Sequence, residues 1–246
     1  MEIVLARHGR PKLKQWSWIT PRKLADWIRA YDEAGAFVEN IPEPSRKMAI
    51  RSGWIVSSPL LRCLQSAQAL APLQTINSEE VCREAGLPHA MWGFPWLPPS
   101  VWIVLFRAAW FCGYSANSES LGLTKSRAQS AATKLIELAR EHQSVFVMGH
   151  GIMMALIAKE LVMHGWVGPR RPAHGYWQFS VYREDVGSFA IEDHPTLSAP
   201  RQIRSKRLGK LMPAALAAWG RRLVAVIPGR DFASGHQKPP ARWYLD

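Results

Sequence analysis

Three short segments, far apart in the sequence, carry residue types that bind phosphate. They are Arg7-His8-Gly9, residues 57–67 around Arg62, and Gly149-His150-Gly151. Each follows an apolar run typical of a buried strand, and in an open α/β sheet ligands bind at the carboxyl ends of the strands. Phosphoryl transfer requires a nucleophile, cationic groups around the phosphate and a proton source. We therefore interpret the segments as one phosphate pocket of an enzyme.

The first segment combines a nucleophile with a phosphate-binding cation. A neutral imidazole such as that of His8 can attack phosphorus and carry the phosphoryl group covalently. The planar guanidinium of Arg7 matches the non-bridging oxygens of a phosphate. Gly9 has no Cβ, so we expect the backbone to approach the phosphate closely there. Alone, the tripeptide also fits a surface Arg-His pair at a strand end.

The other two segments place a cation and an imidazole at strand-to-helix turns. Arg62 lies in the first turn of a predicted helix, where free N–H groups and the positive end of the helix dipole favour an anion. His150 stands between two glycines in a tight turn that follows residues 145–148. Taken singly, Arg62 also fits a solvated arginine at a helix start, and His150 fits a hydrogen-bonded core histidine.

The elements that must position these residues alternate between strands and helices. Predicted strands cover residues 2–6, 54–57, 75–83 and 145–148, and a predicted hairpin joins 176–183 to 188–192. Predicted helices run from Thr20-Pro21 to Gly35 and over 59–71, 101–113, 125–142 and 153–163. This order predicts a three-layer α/β/α sandwich with a mostly parallel central sheet.

Composition divides the chain into a domain and a tail. Residues 1–193 form the predicted α/β domain, with a Trp-rich excursion at about 88–114 that we expect to cover the sheet edge. Residues 194–246 form a basic tail rich in Pro and Gly. From Ser198 onward there are ten Lys or Arg and two Asp or Glu, so this part carries +8 of the net charge of +12.

Several features predict a cytoplasmic location. The three cysteines, Cys63, Cys82 and Cys112, form no CxxC pair and no disulfide framework. Arg7 interrupts the apolar start before a signal peptide can develop. The longest hydrophobic run, residues 101–114, is shorter than the roughly 20 residues of a membrane span and contains Arg107. We interpret it as a buried or lid-forming helix, with a membrane-surface segment as the alternative.

Together the three segments resemble the histidine phosphatase superfamily, which includes the cofactor-dependent phosphoglycerate mutases. The resemblance lies in RHG after the first strand, SSPLLRCLQSA after the second and GHG near the end of the domain, in that family's order. It covers about residues 1–193 and implies a phosphoglycerate mutase-like fold. It also implies that His8 is the phosphorylated nucleophile, and that Arg7, Arg62 and His150 complete the phosphate pocket. We predict that Gly9 and Gly151 bind the phosphate together with the two arginines and that His150 is catalytic.

The resemblance further implies an acidic proton donor after the third strand. Arg83-Glu84-Ala85-Gly86-Leu87 occupies that place, so Glu84 is the candidate, and partial burial would raise its pKa toward working pH. Glu119 stands in a segment similar to the family's Gly-Glu-Ser, with a structural role as the alternative. The chain departs from the family pattern where Arg10-Pro11-Lys12 follows RHG; we expect extra positive charge beside the pocket there, or solvated side chains.

The leading hypothesis is a metal-independent phosphatase that hydrolyses a small phosphomonoester through a phosphohistidine on His8, without a cofactor. One alternative is a mutase that returns the phosphoryl group to its substrate. Another is a non-catalytic protein that binds a phosphorylated ligand, with the basic tail contacting nucleic acid or an anionic membrane. The sequence does not identify the substrate or the oligomeric state.

Overall fold

A six-stranded sheet forms the centre of the protein. The structure is a computed structural model and describes residues 1–185. The strands are β1 (Glu2–Arg7), β2 (Trp54–Ser57), β3 (Ile76–Ser78), β4 (Ser144–Gly149), β5 (Trp166–Val167) and β6 (Phe179–Glu184). They lie in the order β3-β2-β4-β1-β6-β5, with β3, β2, β4 and β1 parallel to one another and β6 and β5 added in antiparallel pairing.

Helices cover both faces of this sheet. The helices of the described residues are α1 (Leu24–Glu33), α2 (Glu43–Arg51), α3 (Leu61–Leu70), α4 (Pro99–Phe111), α5 (Leu121–His142) and α6 (Gly151–Met163). Successive residues of a strand point to opposite faces. Val145 and Val147 of β4 therefore pack with α5 and α6, whereas Phe146 and Met148 pack with α2 and α3. The predicted three-layer sandwich with a mostly parallel sheet is confirmed.

Two predicted elements differ from the structure. The third strand was expected over 75–83 but ends at Ser78, because β3 pairs with β2 alone and the chain then turns into a 3-10 helix, Glu80–Cys82, that buries Cys82. The first helix begins at Leu24 rather than at Pro21. Thr20 still accepts the Lys23 N–H through its side chain, but residues 21–23 form only a turn.

The Trp-rich excursion has a core of its own. Its buried residues come from α1, α4 and the segments beside them, namely Ile19, Leu24, Trp27, Ala90, Trp102 and Phe106. An isolated bridge between Ile19 and Leu97 ties the two parts of this core together. The excursion is therefore a packed layer beside the sheet, built around α4 as the sequence predicted.

The remaining predictions concern the end of the chain. The second strand of the predicted hairpin, residues 188–192, and the tail from 194 lie outside the described residues, so the domain boundary stays a prediction. Within residues 1–185, none of the helices combines the length and the apolar character that crossing a membrane requires.

Candidate active site

The three segments come together because they follow strands that are neighbours in the sheet. β4 lies between β1 and β2, and Arg7 is paired with Gly149 at the end of the ladder. The His8 N–H donates to the Gly149 carbonyl (3.2 Å), and the Ser58 N–H donates to the Met148 carbonyl (2.9 Å). The rings of His8 and His150 are thereby held with their centroids 5.0 Å apart.

The ring of His8 is oriented by its own backbone. Nδ1 lies 2.7 Å from the carbonyl oxygen of Gly9, an acceptor, so Nδ1 carries the proton and donates it in that bond. The lone pair of the neutral ring is then on Nε2. Burial lowers the pKa of His8 to about 3, against the effect of the Gly9 hydrogen bond and with further lowering by Arg62 and Arg7. His8 is therefore a neutral imidazole with a defined tautomer.

His150 is held by three neighbours. Nη2 of Arg62 lies 3.5 Å from Nδ1 of the ring, Oγ of Ser58 lies 2.8 Å from Nε2, and Sγ of Cys63 lies 3.3 Å from Nε2. Because a guanidinium can only donate, it favours the tautomer whose proton is on Nε2. The pKa of His150 lies well below its usual value. Burial is the largest cause, and the charge of Arg62 is the next largest.

Arg62 is a buried cation at the first turn of α3. Its side chain is 0% exposed; Nη1 donates to the Tyr31 carbonyl (2.7 Å), and Nη2 lies 3.5 Å from Oδ1 of Asp32. The guanidinium also lies over the Tyr31 ring, 4.3 Å from its centroid. Nε is buried and makes no hydrogen bond to the described residues. The solvated interpretation of this arginine is therefore wrong.

Arg7 is fixed from the other side of the pocket. Its guanidinium lies 4.7 Å from the centroid of the Tyr176 ring, and Nη1 donates to the carbonyl of His174. Its Nε, like that of Arg62, is buried without a hydrogen-bond partner among residues 1–185. The two guanidinium groups thus each keep one buried N–H without an acceptor among the described residues. An anion between them would satisfy both donors.

The two glycines assigned to the phosphate site have different surroundings. The Gly9 N–H donates to Oγ of Ser66 (2.9 Å), and a Cβ at Gly9 would lie 2.3 Å from the Trp177 ring. Packing against Trp177 therefore explains this glycine, and its amide does not point into the pocket, which corrects the expected close approach to phosphate. Gly151 does line the pocket, at the N-terminus of α6, where the helix dipole favours an anion.

Glu84 faces the same pocket from the opposite wall. Its Oε1 accepts the N–H groups of Ala85 (2.9 Å) and Met153 (3.1 Å), so these bonds leave Oε2 unoccupied by either amide. Burial raises the pKa of Glu84 above its usual value, against the effect of the two amides. A raised pKa favours the protonated form of the carboxyl group, which suits it to act as a proton donor.

An arginine that sequence reasoning missed holds the Glu84 loop in place. Arg127 of α5 donates to the carbonyls of Val81 (3.1 Å) and Arg83 (2.6 Å), and it pairs with Glu119 (2.7 Å). Although burial opposes ionisation, the hydrogen bond from Arg127 keeps the pKa of Glu119 below its usual value. Glu119 is therefore a structural partner of Arg127, the second of the two roles considered for it.

Two segments that could border the pocket have different positions. Lys12 lies over the Phe37 ring and 3.9 Å from Glu39, and neither Lys12 nor the exposed Arg10 lines the pocket. His174 does reach the rim of the pocket. Tyr31 and Tyr176, which lie against the two arginines, were missed because the helical spacing of Tyr31 indicates only a core residue and no motif includes Tyr176.

The comparisons with known proteins agree on the family. The family model described as histidine phosphatase superfamily (branch 1) matches residues 32–195, which include Arg62, Glu84 and His150. The matched range excludes Arg7 and His8, and it is the sheet that joins them to the other residues. The chain belongs to the histidine phosphatase superfamily. This chain is a phosphoric monoester hydrolase of the histidine phosphatase type.

Several solved structures with a similar fold are phosphatases whose sequence identity to this chain is low. Alpha-ribazole phosphatase from Shigella flexneri is 14% identical over 74% of this chain and 89% of that chain, with a TM-score of 0.49. Phosphoserine phosphatase from Entamoeba histolytica is 16% identical over 73% and 89%, with a TM-score of 0.47. Mycobacterial glucosyl-3-phosphoglycerate phosphatase is 18% identical over 66% and 79%, with a TM-score of 0.44. None of the curated proteins matches the chain significantly.

Proposed function

We propose that the protein is a metal-independent phosphatase that hydrolyses a small phosphomonoester through a phosphohistidine on His8. The observation that carries this proposal is the state of the His8 ring. Its Nδ1–H is bound to the Gly9 carbonyl, and its pKa is lowered to about 3, so a neutral Nε2 is available as nucleophile at neutral pH. The ring lies beside His150 and the guanidinium groups of Arg7 and Arg62.

In the first step, the phosphate binds between the two guanidinium groups, and their unpartnered Nε–H groups donate to its non-bridging oxygens. Oγ of Ser58 accepts the Nε2–H of neutral His150, and the His150 ring lies beside the attacking His8 ring. Nε2 of His8 attacks phosphorus, and the bond from phosphorus to the ester oxygen breaks. Glu84, whose pKa is raised by burial, acts as the proton donor and gives its proton to the departing alkoxide.

In the second step, water replaces the alcohol. Glu84, now a carboxylate, takes a proton from the attacking water, and the new oxygen–phosphorus bond forms as the nitrogen–phosphorus bond breaks. Inorganic phosphate leaves, and both His8 and Glu84 return to their starting states. The net reaction consumes one phosphomonoester and one water and yields one alcohol and one phosphate.

Release of inorganic phosphate from a generic aryl phosphate tests the proposal. We expect His8→Ala to lower kcat by about 10⁴-fold or more, the scale on which removal of a nucleophile acts. His164→Ala is the matched control, because His164 is exposed at the far end of α6, and it should keep wild-type activity. Activity of His8→Ala near that of the control would overturn the proposal, and interconversion of isomers without release of phosphate would indicate a mutase.

A cytoplasmic location is part of the same proposal. Cys63, Cys82 and Cys112 are free thiols, and the first two are buried, which suits a reducing compartment. Fractionation of cells that express the chain would test this location, and recovery of the protein only from a secreted fraction would contradict it.

A further inference from the structure

The pocket extends well beyond the phosphate-binding groups. Its volume is about 690 Å³, within the range of sites that enclose a drug-sized molecule. Arg7, Arg62 and Glu84 line one end. A phosphate group fills only a small part of this volume. The other end therefore determines which alcohol or phenol the phosphate is attached to.

The other part of the lining is an apolar wall, defined by Trp27 and Ile28 of α1, Leu87, and Ile103 of α4, and the ring of Tyr31 stands between this wall and Arg62. Trp27 and Tyr31 are stacked on each other, with their ring centroids 5.1 Å apart and their planes 11° apart. These residues also belong to the separate core of the excursion, so their positions are fixed by packing. The wall presents flat rings and branched aliphatic side chains to a ligand.

The charged side chains along this wall already have protein partners. Arg107 donates to the carbonyls of Gly86 (3.0 Å) and Ala85 (3.1 Å). Asp32 lies 3.5 Å from the buried guanidinium of Arg62, and Arg83 pairs with Glu80 at 3.7 Å. A leaving group rich in hydroxyls would lose water here without gaining charged partners, which is unfavourable. An apolar leaving group gains from burial against the same surface.

We infer that the substrate is a phosphomonoester whose leaving group is an apolar ring with few hydroxyls. The phosphate is bound at the arginines and the ring lies between α1 and α4, against the apolar wall. This inference rests on the proposed function, since it concerns the alcohol released by the same reaction. It assigns substrate specificity to Ile103 and Leu87.

The test compares two primary alkyl phosphates that differ in the polarity of a six-membered ring. Cyclohexylmethyl phosphate and glucose 6-phosphate have leaving groups of similar basicity, so the chemical step is matched. We expect kcat/KM to be about a hundredfold higher for the cyclohexylmethyl ester, the scale of discrimination available to an apolar pocket. Equal values, or a preference for the sugar phosphate, would overturn the inference.

Two substitutions on α4 test whether the preference for an apolar ring comes from the apolar wall. Ile103→Ala should lower kcat/KM for cyclohexylmethyl phosphate about tenfold and leave that for ethyl phosphate nearly unchanged. Val104→Ala is the matched control, because Val104 is 68% exposed, and it should change neither value. If Ile103→Ala does not fold, Leu87→Ala takes its place. The comparison of cyclohexylmethyl phosphate with glucose 6-phosphate on the wild-type enzyme tests the inference without any variant. Loss of all activity in His8→Ala together with a sugar preference would retain the proposed function and reject this inference.

Discussion

The two ends of the pocket are built in different ways. At the phosphate end, His8, Arg62 and His150 are almost fully buried. His8 and His150 stand directly after β1 and β4, and Arg62 lies in the first turn of α3, the helix that follows β2. At the apolar end, Trp27 and Ile103 come from helices that pack on each other beside the sheet. The sheet thus positions the groups proposed to do chemistry, and the excursion positions those proposed to select the substrate. Substitutions at the first end should affect every substrate, and those at the second should affect substrates selectively.

Glu84→Gln should have the largest effect among variants that keep the nucleophile. We expect a loss of about 10²- to 10⁴-fold in kcat for alkyl phosphates, the usual contribution of a general acid. The loss should be smaller for p-nitrophenyl phosphate, whose leaving group needs no proton. Glu80→Gln is the control, because the Glu80 side chain is 74% exposed. Equal losses on the two substrates would contradict a proton-donor role.

The same variant tests the pH dependence. Burial raises the pKa of Glu84, so the protonated acid persists to higher pH than for an exposed glutamate and is lost as the pH rises through the raised value. The rate with alkyl phosphates should therefore fall on the alkaline side in wild type, and Glu84→Gln should lack that decrease. An alkaline decrease that persists in the variant must come from another group.

Arg62→Lys keeps the charge at the phosphate end but removes the planar fork. Lysine cannot reproduce the bond to the Tyr31 carbonyl, the stacking on the Tyr31 ring and the donor at Nε together. We expect a loss of about 10²- to 10³-fold in kcat/KM that is similar for aryl and alkyl phosphates. Arg140→Lys, exposed on α5, is the control. A loss confined to one substrate would contradict the division between the two ends.

Arg127→Gln tests a positioning role rather than a catalytic one. Without the bonds to the carbonyls of Val81 and Arg83, the Glu84 carboxyl should be less well placed, with a loss of about tenfold for alkyl phosphates. The loss for p-nitrophenyl phosphate should be clearly smaller. Lys125→Gln on the exposed side of α5 is the control. Proportional losses on both substrates would indicate general loss of structure instead.

The last prediction concerns stability in acid and does not depend on catalysis. The folded pKa of His8 is lowered to about 3 from 6.5, so between these values the unfolded chain binds a proton that the folded chain does not. Stability is therefore lost as the pH falls from 6.5 toward 3, because the unfolded chain binds this proton more readily than the folded chain. Denaturant unfolding of His8→Asn should show a weaker decrease with acid. An unchanged slope would contradict the buried neutral histidine.

The difference between the two ends of the pocket also explains which features of the site could be predicted from the sequence. RHG, the Arg62 segment and GHG each contain a strand end and the residue after it, and parallel strands end at one edge of a sheet. Local sequence patterns therefore suffice to predict that His8, Arg62 and His150 lie close together. The fold class follows from the same alternation of strands and helices.

Contacts between distant segments could not be predicted in this way. Tyr31 has the spacing of a core residue, and only the packing of α1 beside α3 brings its ring and its carbonyl to Arg62. Arg127 has no local pattern that indicates the carbonyls it binds, 44 and 46 residues earlier in the chain. The third strand was predicted too long because an edge strand has pairing on one side only, which the apolar pattern does not reveal.

Trapping of the covalent intermediate tests the central claim most directly. Wild-type protein mixed with an aryl phosphate and quenched in alkali, where phosphohistidine survives, should carry one phosphoryl group that mass spectrometry of its peptides assigns to His8. Glu84→Gln should accumulate more of this species if the slow step becomes hydrolysis, and His8→Ala should carry none. Turnover with the phosphoryl group on His150, or with no phosphorylated histidine at any time, would contradict the account.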